Sequence, residues 1–204
     1  MSSKQTVFVI DDEEAVRDSL QLMLERRGYD VQAFASGEDF LNSLQSEVSG
    51  CIVCDIRLSG LSGLDLQRKL PEMDCSLPLI FMTGHGDIEM AVAALKKGAS
   101  DFIEKPFTDV RIYNAVAAAL AAGQQRRAKE ESRAVLEARI ADLSDRQRQV
   151  MEYLIDGHTN KEIGRRLGIS PRTIETYRAF VMAKMGAASL ADLVKMAIRM
   201  GLRT

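Results

Sequence analysis

The chain of 204 residues has no tryptophan, only four prolines and 5% aromatic residues. It also lacks any long hydrophobic run. Its longest stretch of small apolar residues, Ala115 to Ala122, is far shorter than the about 20 residues that a membrane-spanning helix needs. The opening residues Met1-Ser2-Ser3-Lys4-Gln5 lack the apolar core of a signal peptide, and Thr6 already begins a strand pattern. A cytoplasmic protein without membrane association is the expectation. Cysteine is scarce, with three in all. Cys51 and Cys54 form a Cys-x-x-Cys, but three steps along a strand place them on opposite faces and about 10 Å apart. That is beyond disulfide reach, so both are expected to be packing residues, with Cys75 in a loop.

The chain as a whole also lacks a strong charge of either sign, with a net of −2. Its distribution is uneven. Residues 1–125 hold 11 Lys/Arg against 19 Asp/Glu, a net of −8; residues 126–143 carry +1 and residues 144–204 carry +5. An acidic front and a basic rear are the asymmetry expected when only the rear touches a polyanion.

Strand and helix patterns alternate through the first 120 residues. Thr6–Asp11, Val31–Phe34, Cys51–Asp55, Leu79–Thr83 and Asp101–Ile103 read as short buried strands. Between them, helical spacing marks Glu14 to Gly28, a helix capped by Ser36 with Asp39, Leu64–Leu70 halted by Pro71, and Asp87–Lys97. A fifth helix runs from Asp109 to about Ala122. Five such units imply an α/β fold, a five-stranded doubly wound parallel sheet. A known strand order for such five-stranded sheets, 2-1-3-4-5, is the expectation here, and with it the crevice lies between strands 1 and 3. Strand 1 ends in Asp11-Asp12 and strand 3 in Asp55, so three carboxylates are expected to meet at that crevice.

Three acids together repel one another unless a cation is present, and Mg²⁺ (or Mn²⁺) suits a few carboxylates with water and phosphate oxygens. A carboxylate beside such an ion is placed to attack a phosphoryl group in line. Lys105 follows strand 5 at the same rim, Thr83 ends strand 4 with a hydroxyl, and Phe102 is an aromatic three residues before Lys105. Each alone has a plain reading as a cap, a strand end or a loop. Together they stand at successive strand ends, where chance placement is improbable.

These residues, Val9-Ile10-Asp11-Asp12, the single Asp55, Met82-Thr83-Gly84 and Glu104-Lys105-Pro106-Phe107, resemble the receiver domain of bacterial two-component response regulators over residues 5–122. The resemblance implies Asp55 as phosphoacceptor, serving a sensor histidine kinase. It implies Asp11, Asp12, Asp55 and the backbone carbonyl of Arg57 around Mg²⁺. It further implies Thr83 and Phe102 as a switch pair, with Lys105 gripping the phosphoryl group. Arg57 and His85 stand where the family varies and are expected to tune phosphoryl loss, although His85 reads equally as an exposed loop residue.

Residues 124–142 contain neither glycine nor proline, and Leu136, Ile140 and Leu143 form a narrow apolar stripe. Residues 123–143 are therefore read as a helical linker, with a solvated connector preferred over a paired coiled coil. Residues 144–204 then show four caps: Ser144 with Gln147, Thr159 with Glu162, Ser170 before Pro171, and Ser189 with Asp192. Four short helices of about 145–156, 160–167, 171–185 and 190–200 are expected, a basic helix-turn-helix unit.

Asn160 to Ser170 followed by Pro171-Arg172-Thr173-Ile174-Glu175-Thr176-Tyr177-Arg178 resembles the LuxR-type helix-turn-helix, and the order of parts resembles the NarL/FixJ class. On the recognition helix Ile174, Tyr177, Val181 and Met185 form the buried face, leaving Arg172, Glu175, Thr176 and Ala179 outward. Glu175 and Thr176 are assigned to base edges in double-stranded promoter DNA, and Lys161, Arg172, Thr173 and Arg178 to phosphates. Glu175 departs from the basic residue that the family often has there. The last helix has more apolar surface than one core face needs, which leaves a dimer contact and extra core burial both open. The class implies a homodimer formed on phosphorylation and admits RNA polymerase as a partner. Two rivals are weighed against this. An Asp-nucleophile phosphatase would need a second acid near Asp55, where Ile56-Arg57 stand. A constitutive DNA-binding protein would have no use for the intact acids and Lys105.

Overall fold

A computed structural model describes residues 5–44, 48–84 and 88–202. It divides into two compact units at Arg126/Arg127. In the first, β1 (Thr6–Ile10), β2 (Asp30–Phe34), β3 (Gly50–Asp55), β4 (Leu79–Thr83) and β5 (Asp101–Glu104) form one parallel sheet of order 2-1-3-4-5. The helices between them are α1 (Glu14–Glu25), α2 (Gly37–Ser43), α3 (Gly63–Glu72) and α4 (Ile88–Lys96).

Period-2 alternation sorts the strand residues onto two faces. Val7, Val9, Cys51, Val53, Ile80, Met82 and Ile103 pack with Leu20 and Leu24 of α1 and with the first turns of the fifth helix. Phe8, Ile10, Ile52, Cys54, Leu79 and Phe81 pack with Phe40 of α2, Leu66 and Leu70 of α3, and Ala91 and Ala94 of α4. The two faces thus share one backbone layer between two separate apolar cores, the arrangement of a doubly wound sheet. Cys51 and Cys54 fall on opposite faces, both fully buried as free thiols. Burial alone pushes the Cys51 thiol up to about 12, so it stays protonated and inert.

One boundary differs from the sequence reading. α3 does not halt before Pro71 but runs through it to Glu72. Proline removes one backbone donor. The turn closes all the same, because Met73 and Cys75 donate to the Leu70 carbonyl and Asp74 to that of Pro71. The segment that contains His85 lies outside the described residues.

The fifth helix, α5, is one element from Asp109 to Ala141. Its last turns belong to the second unit. There Leu136 is 5% exposed and, with Ile140 and Leu143, packs among Val150, Leu154, Val181 and Leu193. The narrow stripe is therefore core for the second unit and not a solvated seam. Arg139 Nη1 also donates to the Met185 carbonyl at 2.6 Å, and Lys184 Nζ to that of Asp142 at 2.6 Å.

The second unit continues with α6 (Asp145–Ile155), α7 (Asn160–Leu167), α8 (Pro171–Met185) and α9 (Leu190–Arg199). Each begins where the sequence supplies a cap. Ser144 with Gln147 and Thr159 with Glu162 are full reciprocal boxes, and Ser170 and Ser189 accept from the amides of Thr173 and Asp192. α7 and α8 both stop at a left-handed glycine, Gly168 (φ 68°) and Gly186 (φ 66°). On α9, Leu193 and Ala197 are buried and Leu190, Val194, Met196 and Met200 half-buried, while Ile198 is exposed. Most of the surplus apolar surface on that helix is therefore core. Ser170→Ala should lower the stability of this unit by about 1 kcal/mol, read as a shift in the urea midpoint, because it removes the cap of α8.

Candidate phosphoacceptor site and DNA interface

The register Ile10↔Cys54 brings β1 and β3 to their carboxyl ends together, so the next residue on each strand is an acid at the same edge. Asp11 is fully buried and Asp55 is 8% exposed. Between them stands Lys105, whose Nζ donates to Asp11 Oδ2 at 2.8 Å and to Asp55 Oδ2 at 2.5 Å. Lys105 is held there from its backbone, because its amide donates to the Thr83 carbonyl at 2.7 Å. Ile56 N–H likewise donates to the Met82 carbonyl, so three strand ends are tied at one rim.

The charges follow from that geometry. Burial raises the Asp11 carboxyl above its ordinary value, and the hydrogen bond from Lys105 pulls it only part of the way back. Burial pulls the Lys105 ammonium down, but its hydrogen bonds to Asp11 and Asp55 more than offset this and leave it raised. The lysine therefore remains a cation between two acids.

The structure brings two of the three predicted acids together directly. Asp12 is exposed and accepts from the Ser59 hydroxyl at 2.5 Å and the Ser59 amide at 3.2 Å, which lowers its pKa. Among the described residues no three acidic, histidine or cysteine side chains are gathered to hold a metal. The donor chemistry nevertheless fits a hard divalent ion: the carboxylates of Asp11, Asp12 and Asp55, of which Asp12 is exposed, line an edge where the Lys105 ammonium offsets part of the charge. Arg57 N–H donates to Asp55 Oδ1 at 2.8 Å, so the loop that carries the Arg57 carbonyl leaves directly from this acid.

Thr83 is 1% exposed at the end of β4. Phe102 is half-buried on β5, with its ring against the core of the α2–α4 face. Its backbone is clamped: its amide donates to Asp101 Oδ1, and its carbonyl accepts from Arg111 Nη2 at 2.6 Å. Arg111 also pairs both oxygens of Asp101, an arrangement that the sequence reading missed. Two more residues at the rim were missed. Arg17 donates to the carbonyls of Asp11 and Asp12 and so braces the loop, and Ser59 holds Asp12. A helix arginine and a loop serine carry no pattern that sets them apart in sequence.

In the second unit, Ile174, Val181 and Met185 of α8 are buried and Tyr177 is half-buried, as the spacing predicted. Arg172, Thr173, Glu175, Thr176 and Ala179 are exposed on the other side of α8, and Arg178 is half-buried at its flank. Lys161 is exposed in the first turn of α7. A short helix packed across a longer one with a polar outer face is the geometry that enters a major groove.

Comparison with known proteins agrees with both units. Residues 7–117 match the response regulator receiver domain, and residues 141–197 match the bacterial regulatory proteins of the luxR family. The transcriptional regulatory protein FixJ of Azorhizobium caulinodans is 48% identical over 201 residues, which are 98% of this chain and 95% of that protein. FixJ of Bradyrhizobium diazoefficiens is 45% identical over 202 residues, 99% and 98% of the two chains. Among solved structures, the response regulator StyR superposes with a TM-score of 0.86 at 37% identity, covering 97% of this chain and all of that one. No helix among the described residues is long and apolar enough to cross a membrane. The chain belongs to the NarL/FixJ class of two-component response regulators, DNA-binding transcription regulators in which a receiver precedes a LuxR-type helix-turn-helix.

Proposed function

We propose that this regulator is switched by phosphorylation of Asp55, and that α8 reads promoter DNA in response. The observation that carries the proposal is Lys105 Nζ held between Asp11 and Asp55 at the carboxyl edge of the sheet. An Asp55 oxygen attacks the phosphorus of a kinase phosphohistidine. The new P–O bond forms as the P–N bond breaks, and the electron pair leaves on the imidazole nitrogen, which takes up a proton. Lys105, already a cation, turns from the carboxylates to a phosphoryl oxygen. Mg²⁺ held by Asp11, Asp12, Asp55 and the Arg57 carbonyl would neutralise charge on the transferring group. Thr83 reaches the phosphoryl group from β4, and Phe102 moves inward behind it. The receiver then dimerises, and two α8 helices meet half-sites about 34 Å apart on the duplex. The kinase is its cytoplasmic protein partner, RNA polymerase is a further partner that the class admits, and no enzymatic turnover beyond its own phosphorylation and dephosphorylation is assigned.

A DNA-binding titration with Mg²⁺ and beryllofluoride, on a duplex selected from a random pool, tests this. Wild type should gain about tenfold in affinity. Asp55→Asn should gain nothing. Equal affinity with and without beryllofluoride in wild type would overturn the switch.

A further inference from the structure

The chain has seven phenylalanines, and six of them are buried or half-buried. The exception is Phe180, 53% exposed on α8. It stands one helical turn after Thr176, on the side away from the buried Ile174 and Val181. Its helical neighbours are Thr176 and Ala183, both exposed, and Tyr177 and Lys184, both half-buried. More than half of the Phe180 residue surface is therefore open to water. Among the described residues, the unit's core takes up the other large apolar residues of α8 but not Phe180.

An aromatic ring left in water on a DNA-facing helix is unfavourable until an apolar surface covers it. In the major groove the apolar feature is the thymine C5-methyl group, and phenylalanine is one of the side chains that meets it. The phosphate backbone offers charge instead, which a ring cannot use. Phe180 is continuous with the outer face of Arg172, Thr176 and Ala179, so a helix that sets these in the groove carries the ring in with them. We infer that Phe180 is a base-specificity residue, and that its ring selects a thymine at one position of each half-site through the C5-methyl. This rests on the reading that α8 faces DNA.

The test is a selection from random duplexes by full-length wild type, Phe180→Ala and Thr176→Ala, followed by affinities on the wild-type site with each dT replaced in turn by deoxyuridine. Thermal melting checks that the variants fold, which an exposed position permits. Wild type should enrich a T that Phe180→Ala no longer enriches. Loss of that one methyl should weaken wild type about fourfold, the value of one buried methyl-sized group. Phe180→Ala should be indifferent to it. The same motif from both proteins, or an equal deoxyuridine penalty in both, overturns the inference. If Thr176→Ala changes the motif and Phe180→Ala does not, only this inference fails. If neither changes it, the placement of α8 on DNA fails as well. A uniform loss of affinity across sequences would assign Phe180 to the sugar–phosphate backbone or to a second copy of the chain, and would also overturn the inference.

Discussion

Lys105→Met should lower the stability of the receiver unit by roughly 2–3 kcal/mol and abolish the beryllofluoride-dependent gain in DNA affinity. Both effects have one cause. The lysine supplies the charge partner of Asp11, which is fully buried, and of Asp55, which is nearly so. Methionine keeps the length and packing of the side chain but leaves two carboxylates facing each other. Removal of one partner from a buried pair typically costs about 3–5 kcal/mol. The Lys105 side chain is 22% exposed, so water offsets part of that here.

The loss should depend on pH, and its direction follows from Asp11. Burial already holds this carboxyl above its ordinary value of 3.8, and loss of the hydrogen bond from Lys105 raises it further. A carboxyl whose pKa is higher in the folded state binds protons more tightly there than in the unfolded chain. Stability then falls as pH rises from the unfolded value through the folded one. The gap between variant and wild type should therefore be small near pH 4 and largest at pH 7. Urea denaturation at the two pH values measures it. A gap that is absent, or that does not change with pH, would contradict the bridging role of Lys105.

Gly63→Ala should be nearly as damaging, at about 2–3 kcal/mol, and should slow phosphorylation of Asp55 by at least about tenfold. A Cβ at Gly63 would lie 2.5 Å from the Asp55 carbonyl oxygen, 2.9 Å from the Phe81 ring and 3.1 Å from the Ile56 Cα. Two of these contacts are backbone, and Phe81 is completely buried, so no flexible side chain can give way. Gly63 N–H also donates to the Ile56 carbonyl, which fixes the start of α3 against the end of β3. The methyl group must push that end outward, and with it the carboxylate of Asp55. Urea denaturation and the rate of labelling by radioactive acetyl phosphate report the two consequences separately. Wild-type labelling in a folded Gly63→Ala protein would show that the position of the strand end does not limit the reaction.

Much of this was legible in the residues. The positions of the strands and helices and the capped starts of α6 to α9 follow from patterns that span two to four residues, whereas the strand order came from the known arrangement of five-stranded doubly wound sheets. A cap works through the amide three residues ahead, as Ser170 does with Thr173, so sequence spacing and physical distance coincide. Pro71 shows the limit of such rules, because hydrogen bonds from beyond the helix end closed a turn that local preference would have ended. The linker shows another limit. The spacing of Leu136, Ile140 and Leu143 identified an apolar stripe but not its partner, and the stripe is core for the second unit.

Sequence alone placed Asp11, Asp55, Thr83 and Lys105 at successive strand ends and marked which helix turns a polar face outward. It did so because hydrophobic periodicity and capping are local. Only the tertiary structure decided how those residues pair. Lys105 lies 94 residues from Asp11 and 50 from Asp55, yet its ammonium sits between them while Asp12 turns to Ser59. That choice is a balance of desolvation and charge in a crevice that exists only once the strands are side by side. The exposure of Phe180 was decided in the same way. Spacing sets Phe180 off the face of Ile174, Tyr177, Val181 and Met185, and the packing of α8 leaves it 53% exposed.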